Sequence, residues 1–201
     1  MWRMPSAATS PENTGEADES LMLRYAAGDI AAFDTLYTRH ELGVWRYVFR
    51  SVRVPAVADD LLQDVWFAVA RQAPAYVVKA RFKTWLFTMA HNRVVDHFRT
   101  AKNHVRLDDE DPDTSPCLAG TLAADSGFGP VRQLESREQA AALIAAVEQL
   151  PIDQREAFLL QAEAGMNVQE IALATGVSFE TAKSRLRYAR RSLRQLLQEF
   201  A

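Results

Sequence analysis

"NVQEIALATGVSFETAKSRLRYARRSLRQL", residues 167–196, decides how the C-terminal part of this chain is read. Asn167 followed three residues later by Glu170 has the pattern of a capping box, in which two helix-opening N–H groups are satisfied reciprocally. The short helix "VQEIALAT" that follows stops at Gly176-Val177, a turn. Ser178 is placed to cap a second, longer helix, on which Ala182, Leu186, Ala189, Leu193 and Leu196 recur at steps of four, three, four and three. Short helix, Gly-containing turn and long helix make the helix-turn-helix pattern.

The long helix is also basic. Lys183, Arg185, Arg187, Arg190, Arg191 and Arg194 fall in one stretch, and after Glu180 no acid appears until Glu199. With the apolar stripe turned inward, Lys183, Ser184, Arg187 and Arg191 face outward, in the turns that a helix-turn-helix inserts into the major groove. Arg187 and Lys183 suit guanine acceptors and Ser184 several bases, while Arg185, Arg190 and Arg194 lie round the sides where phosphates run. A solvated helix with cations near its negative C-terminal pole explains Arg190 to Arg194. It does not explain Lys183, Arg185 and Arg187 in the first turns, so the segment is read as holding a DNA duplex.

That basic helix belongs to a chain of 201 residues with formal net charge −3, 48% hydrophobic and 24% charged residues, ordinary for a soluble globular protein. The negative sum argues against a non-specific nucleic-acid coat, and the distribution carries the information instead. Residues 80–106 are basic, with Asp96 the only acid; residues 107–130 carry six acids, no Lys or Arg, three prolines and three glycines; the basic helix follows. The middle stretch reads as a flexible acidic linker. The Pro-, Ser- and acid-rich opening reads as a disordered tail. The expected organisation is a tail over 1–18, a first domain over 19–103, the linker over 104–131 and a second domain over 132–201. Cys117, the single cysteine, leaves no internal disulfide, and no apolar run nears the ~20 residues of a spanning helix, so a cytoplasmic location is expected.

The first domain reads as helices throughout. Apolar residues recur at helical spacing at Leu21, Leu23 and Tyr25, at Phe33, Leu36 and Tyr37, and at Val44, Tyr47 and Val48, with Gly28-Asp29 a stop followed by an N-cap. "PAVADDLLQDVWFAVARQ" is a third helix, with Leu61, Val65, Ala68 and Val69 as core, and residues 82–99 form a fourth, with Phe82, Leu86, Met89 and Ala90 as its buried stripe. In the second domain Leu143, Ile144, Val147 and Leu150 mark a helix stopped by Pro151, and Ile152 to Ala164 a helix ended by Gly165. No segment alternates long enough for a strand. The fold class is all-α, two small helical domains.

Three N-terminal stretches, "DESLMLRYAAGDIAAFDTLYTRH", "VADDLLQDVWFAVAR" and "FKTWLFTMAHNRVVDHFR", resemble in this order region 2 of bacterial sigma-70 family sigma factors of the extracytoplasmic-function type. "LPIDQREAFLLQAEAGMNVQEIALATGVSFETAKSRLRYARRSL" resembles their region 4. The resemblance implies a subunit that joins core RNA polymerase and directs it to promoters, region 4 reading the upstream (−35) element as duplex and region 2 opening the downstream (−10) element. Such a protein is not an enzyme, needs no cofactor and takes no small-molecule substrate. Neither a nucleotide-binding Gly-rich loop nor a nucleophile cluster appears, and His40, His91, His97 and His104 lack metal-site spacing.

The resemblance assigns the upstream element to Phe179, Glu180, Thr181, Lys183, Ser184, Arg185, Arg187, Arg190 and Arg191. It assigns melting to Tyr76, Arg81, Lys83, Trp85, Thr88, Asn92 and Arg99, where flat rings and cations suit exposed bases and backbone. Trp85 sits at the edge of the buried stripe and serves equally as core. Asp60, Gln63 and Asp64 share one helix face and match positions that bind the clamp helices of the largest polymerase subunit, although the same pattern is that of a solvated face. The flap region of the polymerase, promoter DNA and a dedicated anti-sigma factor are the other implied partners.

The chain departs from the family at Tyr76-Val77-Val78, where many members carry Phe-Arg-Gly, and at Phe179-Glu180, where a smaller pair is commoner. Glu180 suits a cytosine amino group or the positive end of its own helix. The linker either threads the basic active-site cleft as an RNA-like polyanion or serves as an extended tether, and it permits a closed form in which the domains mask each other. The rival function is a core-independent helix-turn-helix regulator with a helical sensor or dimerisation domain.

Overall fold

The computed structural model describes residues 15–105 and 130–198, with side chains over 15–100 and 139–198. Most of the expected tail and nearly all of the expected linker lie outside the described residues. In chain order the α-helices are α1 (Asp18–Ala26), α2 (Ile30–Val52), α3 (Pro55–Gln72), α4 (Phe82–Val105), α5 (Pro130–Glu148), α6 (Ile152–Ala164), α7 (Val168–Thr175) and α8 (Phe179–Gln198). A single 3-10 turn, Ala73–Ala75, follows α3, and no strand occurs among the described residues. None of their helices is long and apolar enough to cross a membrane.

Helix boundaries fall where short polar side chains and glycines dictate. The Asp29 carboxylate accepts from the N–H groups of Ala31 and Ala32 to open α2, and Gly28 turns the chain before it at φ 104. Pro55 occupies the first turn of α3, where its missing N–H costs nothing. Gly165 and Gly176, at φ 65 and 66, close α6 and α7 in the left-handed conformation that glycine adopts without penalty. Arg53 does the same work at the end of α2 at φ 62, where a side chain costs about 1–2 kcal/mol.

The first half of the molecule is built round α2, α3 and α4. Leu36, Val44, Tyr47 and Val48 pack with Leu61, Val65, Ala68 and Val69 and with Phe82, Leu86, Phe87 and Ala90, all buried. Helix α1 is fastened over them through its first turn. The Asp18 carboxylate accepts from Arg39 Nη1 at 2.8 Å and pairs with buried His40 Nε2 at 2.8 Å. The hydrogen bond with His40 does most to hold the Asp18 carboxyl below its ordinary range, against burial and with help from Arg39. Glu19 Oε1 accepts the N–H of Phe82 at 2.6 Å, satisfying a donor at the opening turn of α4 that the helix itself leaves free. Asp18, expected in the tail, is therefore the first residue of α1.

The periodic residues of α1 part company with the spacing at one point. Met22 is buried, whereas Leu23 stands exposed. In the second half Ala146, Val147 and Leu150 of α5 join Ala157, Leu159 and Leu160 of α6, Ile171 and Ala172 of α7, and the stripe Ala182, Leu186, Ala189 and Leu193 of α8. Leu143 and Ile144, expected to share the stripe with Val147, are both exposed. The helix is present, but its buried stripe is the narrower one through Ala146 and Val147. The two halves touch: α6 lies against α2 and α4, and α7 against α4.

Candidate nucleic-acid interface

Helix α8 presents its cations on a scaffold that fixes some and leaves others free. Ser178 Oγ accepts the N–H of Thr181 at 3.2 Å and lies 2.8 Å from its hydroxyl, so the helix starts where the sequence places its cap. Its inner stripe is fully buried, which fixes the rotation about the axis and turns Thr181, Lys183, Arg187, Arg190 and Arg191 to solvent. Phe179 remains well exposed, and Lys183 Nζ lies 5.8 Å from its ring centroid and 3.5 Å from Glu180. Arg187 stacks on Tyr188 at 5.0 Å and donates to its hydroxyl at 3.2 Å. That contact holds the guanidinium without neutralising it, since the partner is not an acid.

The flanking cations differ. Arg185 Nη2 donates to Asp153 at 2.8 Å and Arg190 Nη2 to Gln161 at 2.7 Å, so both brace α8 against α6. Arg187, without an acid partner, stands at the centre of the face beside Lys183, which pairs with Glu180 of the same helix; Arg185 and Arg190 are its anchored flanks, and Ser184 is half-buried between them. Sequence reasoning missed Tyr188, Asp153 and Gln161 because their roles depend on the packing of α8 against α6.

The second set of residues gathers on α4 and the loop before it. Thr88, Asn92 and Arg99 follow Trp85 at helical spacing along one side of α4, from which Val95 also protrudes. Trp85 is half-buried, edge-on to Tyr76 at 5.0 Å and tilted against Phe82 at 5.8 Å. It is thus both a wall of the core and a partly open ring. Burial raises the pKa of the Tyr76 hydroxyl, which is buried without a hydrogen-bond partner among the described residues. Lys83 Nζ lies 6.0 Å from the Phe87 centroid, Thr88 donates to Thr84 O, and Arg99 pairs with Asp96 at 2.9 Å. Arg81 is bound across to the second half of the chain, donating to Glu170 at 2.7 Å and to Gly165 O at 3.0 Å.

A third face lies on α3, where Asp60, Gln63 and Asp64 are all exposed and adjacent. Phe67, three residues beyond Asp64, extends this acidic face with a ring 70% exposed. Its offset from the buried Leu61, Val65 and Ala68 is readable on a helical wheel. Asp59 is engaged separately, accepting from Trp45 Nε1 at 2.7 Å. Buried His40 and His91 each pair with a carboxylate, and no group of three or more potential metal ligands occurs among the described residues.

Residues 36–104 match the family described as sigma-70 region 2, and residues 140–193 the family described as sigma-70 region 4. The ECF RNA polymerase sigma factor SigM of Mycobacterium tuberculosis is 31% identical over 181 residues, 90% of this chain and 85% of that protein. RNA polymerase sigma factor CarQ of Myxococcus xanthus is 32% identical over 178 residues, 89% of this chain and 96% of its own length. Among solved structures, the sigma factor RpoE of Bartonella quintana, crystallised with the anti-sigma factor NepR, superposes with a TM-score of 0.60 at 22% identity, covering 83% of this chain and 96% of that one.

Proposed function

The chain belongs to the extracytoplasmic-function group of the sigma-70 family, and from that membership we propose how its named residues divide the work of promoter-specific initiation. As a sigma factor it is not an enzyme; it binds core RNA polymerase and promoter DNA. Helix α8 reads the upstream duplex, with Lys183, Ser184 and Arg187 at base edges and Arg185, Arg190 and Arg191 along phosphates. Phe179, Glu180 and Thr181 lie at the helix N-terminus, where it meets the groove. Helix α4 and the loop before it take the melted strand, Tyr76 and Trp85 offering rings, Arg81, Lys83 and Arg99 charge, and Thr88 and Asn92 hydrogen bonds. Asp60, Gln63 and Asp64 on α3 dock the clamp helices of the largest polymerase subunit, and the second domain meets the flap region.

The observation that carries this division is the exposed, acid-poor face of α8 in the same chain as an acidic face on α3. One suits DNA and the other a basic protein helix, so neither serves both. We place the protein in the cytoplasm with the polymerase, over the domain boundaries 19–103 and 132–201, and propose a dedicated anti-sigma factor as a further partner.

Run-off transcription on genomic fragments with core polymerase, with and without the protein, tests the reading. Discrete products and strand opening near their start sites are expected only when both are present. Operator binding without polymerase, and no initiation with it, would overturn the reading in favour of a core-independent regulator.

A further inference from the structure

The solvent face of α8 has two sides, and they differ in charge. With about 100° between successive residues, Lys183 and Arg187 fall on one side of its outermost line and Thr181, Arg185 and Tyr188 on the other. On that second side an open recess lies between α8 and the first turn of α6, with Ile152, Thr181, Ser184 and Tyr188 among its walls.

What these walls offer is mostly apolar. Ile152, the first residue of α6, is 61% exposed, and Tyr188 is 45% exposed. The Thr181 hydroxyl lies 2.8 Å from Ser178 Oγ at the helix cap, so the group it leaves for the recess is its methyl. The Tyr188 hydroxyl accepts from Arg187 Nη2 at 3.2 Å, which leaves the body of the ring. Two carboxylates at the rim, Asp153 and Glu180, are each matched by a cation of α8, Arg185 at 2.8 Å and Lys183 at 3.5 Å. The recess therefore carries no net charge to draw a phosphate into it, unlike the side that holds Arg187.

A duplex seated on α8 presents base edges to both sides of the helix. Among the groups that base pairs expose in the major groove, the apolar one is the C5-methyl of thymine; the others are hydrogen-bond donors and acceptors. We propose that the recess between Ile152 and Tyr188 receives a thymine methyl, which makes both residues specificity-determining for the upstream element. The inference rests on the proposed reading of duplex by α8, and adds to it a base chosen by apolar contact rather than by charge. Tyr188 joins the two readings, since Arg187 Cζ lies 5.0 Å from its ring centroid while the same ring forms part of the recess wall. The thymine is accordingly a neighbour of the base that Arg187 reads.

The experiment uses holoenzyme and a duplex carrying the preferred upstream element, selected from a randomised pool. Each thymine is replaced in turn by deoxyuridine, which removes the C5-methyl and leaves base pairing intact. In wild type one replacement, next to the position whose preference Arg187→Ala abolishes, is expected to weaken binding about fourfold, the worth of burying one such group. In Tyr188→Ala and in Ile152→Ala the same replacement should cost little or nothing, because the wall that meets the methyl is gone. Tyr188→Phe keeps the ring and should keep the uridine penalty. Both side chains are exposed, so the alanine variants should melt like wild type by circular dichroism.

The absence of any uridine penalty in wild type, or a penalty undiminished in Tyr188→Ala, would overturn the proposal. So would a Tyr188→Ala variant that loses preference only at the base read by Arg187, for then the ring acts through the guanidinium alone. Run-off transcription by the wild-type chain separates the cases: if it persists while the uridine test fails, the proposed function stands without the recess.

Discussion

Replacing Arg187 with alanine, and Arg185 in parallel, tests whether free and anchored cations of α8 do different things. Arg187 stacks on Tyr188 with no acid partner, so it can make a bidentate contact with a base at full charge. Losing such a contact costs about 1–3 kcal/mol of discrimination, roughly a 5- to 150-fold loss at the preferred sequence. Arg185 is committed to Asp153 at 2.8 Å and is a flank residue. Its ion pair is worth about 0.2–1 kcal/mol of stability, and the contribution to DNA proposed for it is a phosphate contact that reads no sequence. Arg185→Ala should therefore weaken binding evenly across sequences and flatten the slope of log K against log salt by about one. The assay is anisotropy of holoenzyme on promoter duplexes varied in the upstream element, over a salt series, with co-elution on core as control. Arg187→Ala should collapse the difference between good and poor sequences while leaving core binding intact. If both variants lose affinity evenly and the sequence preference survives in Arg187→Ala, the division is wrong.

Asp64→Lys reverses a charge at the centre of the α3 face, and the variant should fail to co-elute with core polymerase while keeping its helical circular dichroism; normal co-elution refutes that docking face. Leu186→Ala removes a side chain 2% exposed at the middle of the α8 stripe and should cost about 2–5 kcal/mol in thermal or urea unfolding. A loss under about 1 kcal/mol would mean the stripe is not packed as described. The pKa of Asp18 is depressed below 3.8 by His40 and Arg39, so its contribution to stability is present above the ordinary carboxyl range and is lost as pH falls through its folded value. Asp18→Asn should accordingly destabilise the fold at neutral pH and shrink the deficit against wild type as acid is added; a deficit independent of pH would assign the loss to packing.

What the sequence makes legible follows from the range of the interaction concerned. Asp29, Asn167 with Glu170, and Ser178 act on N–H groups two or three residues away, and each caps the helix that its position announces. The stripes of α3, α4 and α8 are equally local, because a period near 3.6 residues needs no knowledge of the partner surface. Where a stripe meets the edge of a small domain the reading weakens. Leu143 and Leu23 satisfy the period and are exposed, while Met22 takes the buried place beside Leu23. Trp85 lies at such an edge, and its half-burial against Tyr76 and Phe82 is why spacing alone left its role open.

Charges are the opposite case, since a cation's role depends on which acid the fold brings to it. Arg185 and Arg187 are two residues apart and alike in sequence, yet Asp153, 32 positions away, claims one and not the other. Arg46 and Glu163 are 117 positions apart on different halves, and neither local pattern carries a sign of the other. Glu170 shows both ranges in one carboxylate: its bond to the Asn167 N–H was readable from a four-residue motif, and its bond to Arg81, 89 positions away, was not. The α7 cap is thus one of the places where the second half holds α4 and the residue before it, through Thr84 and Arg81.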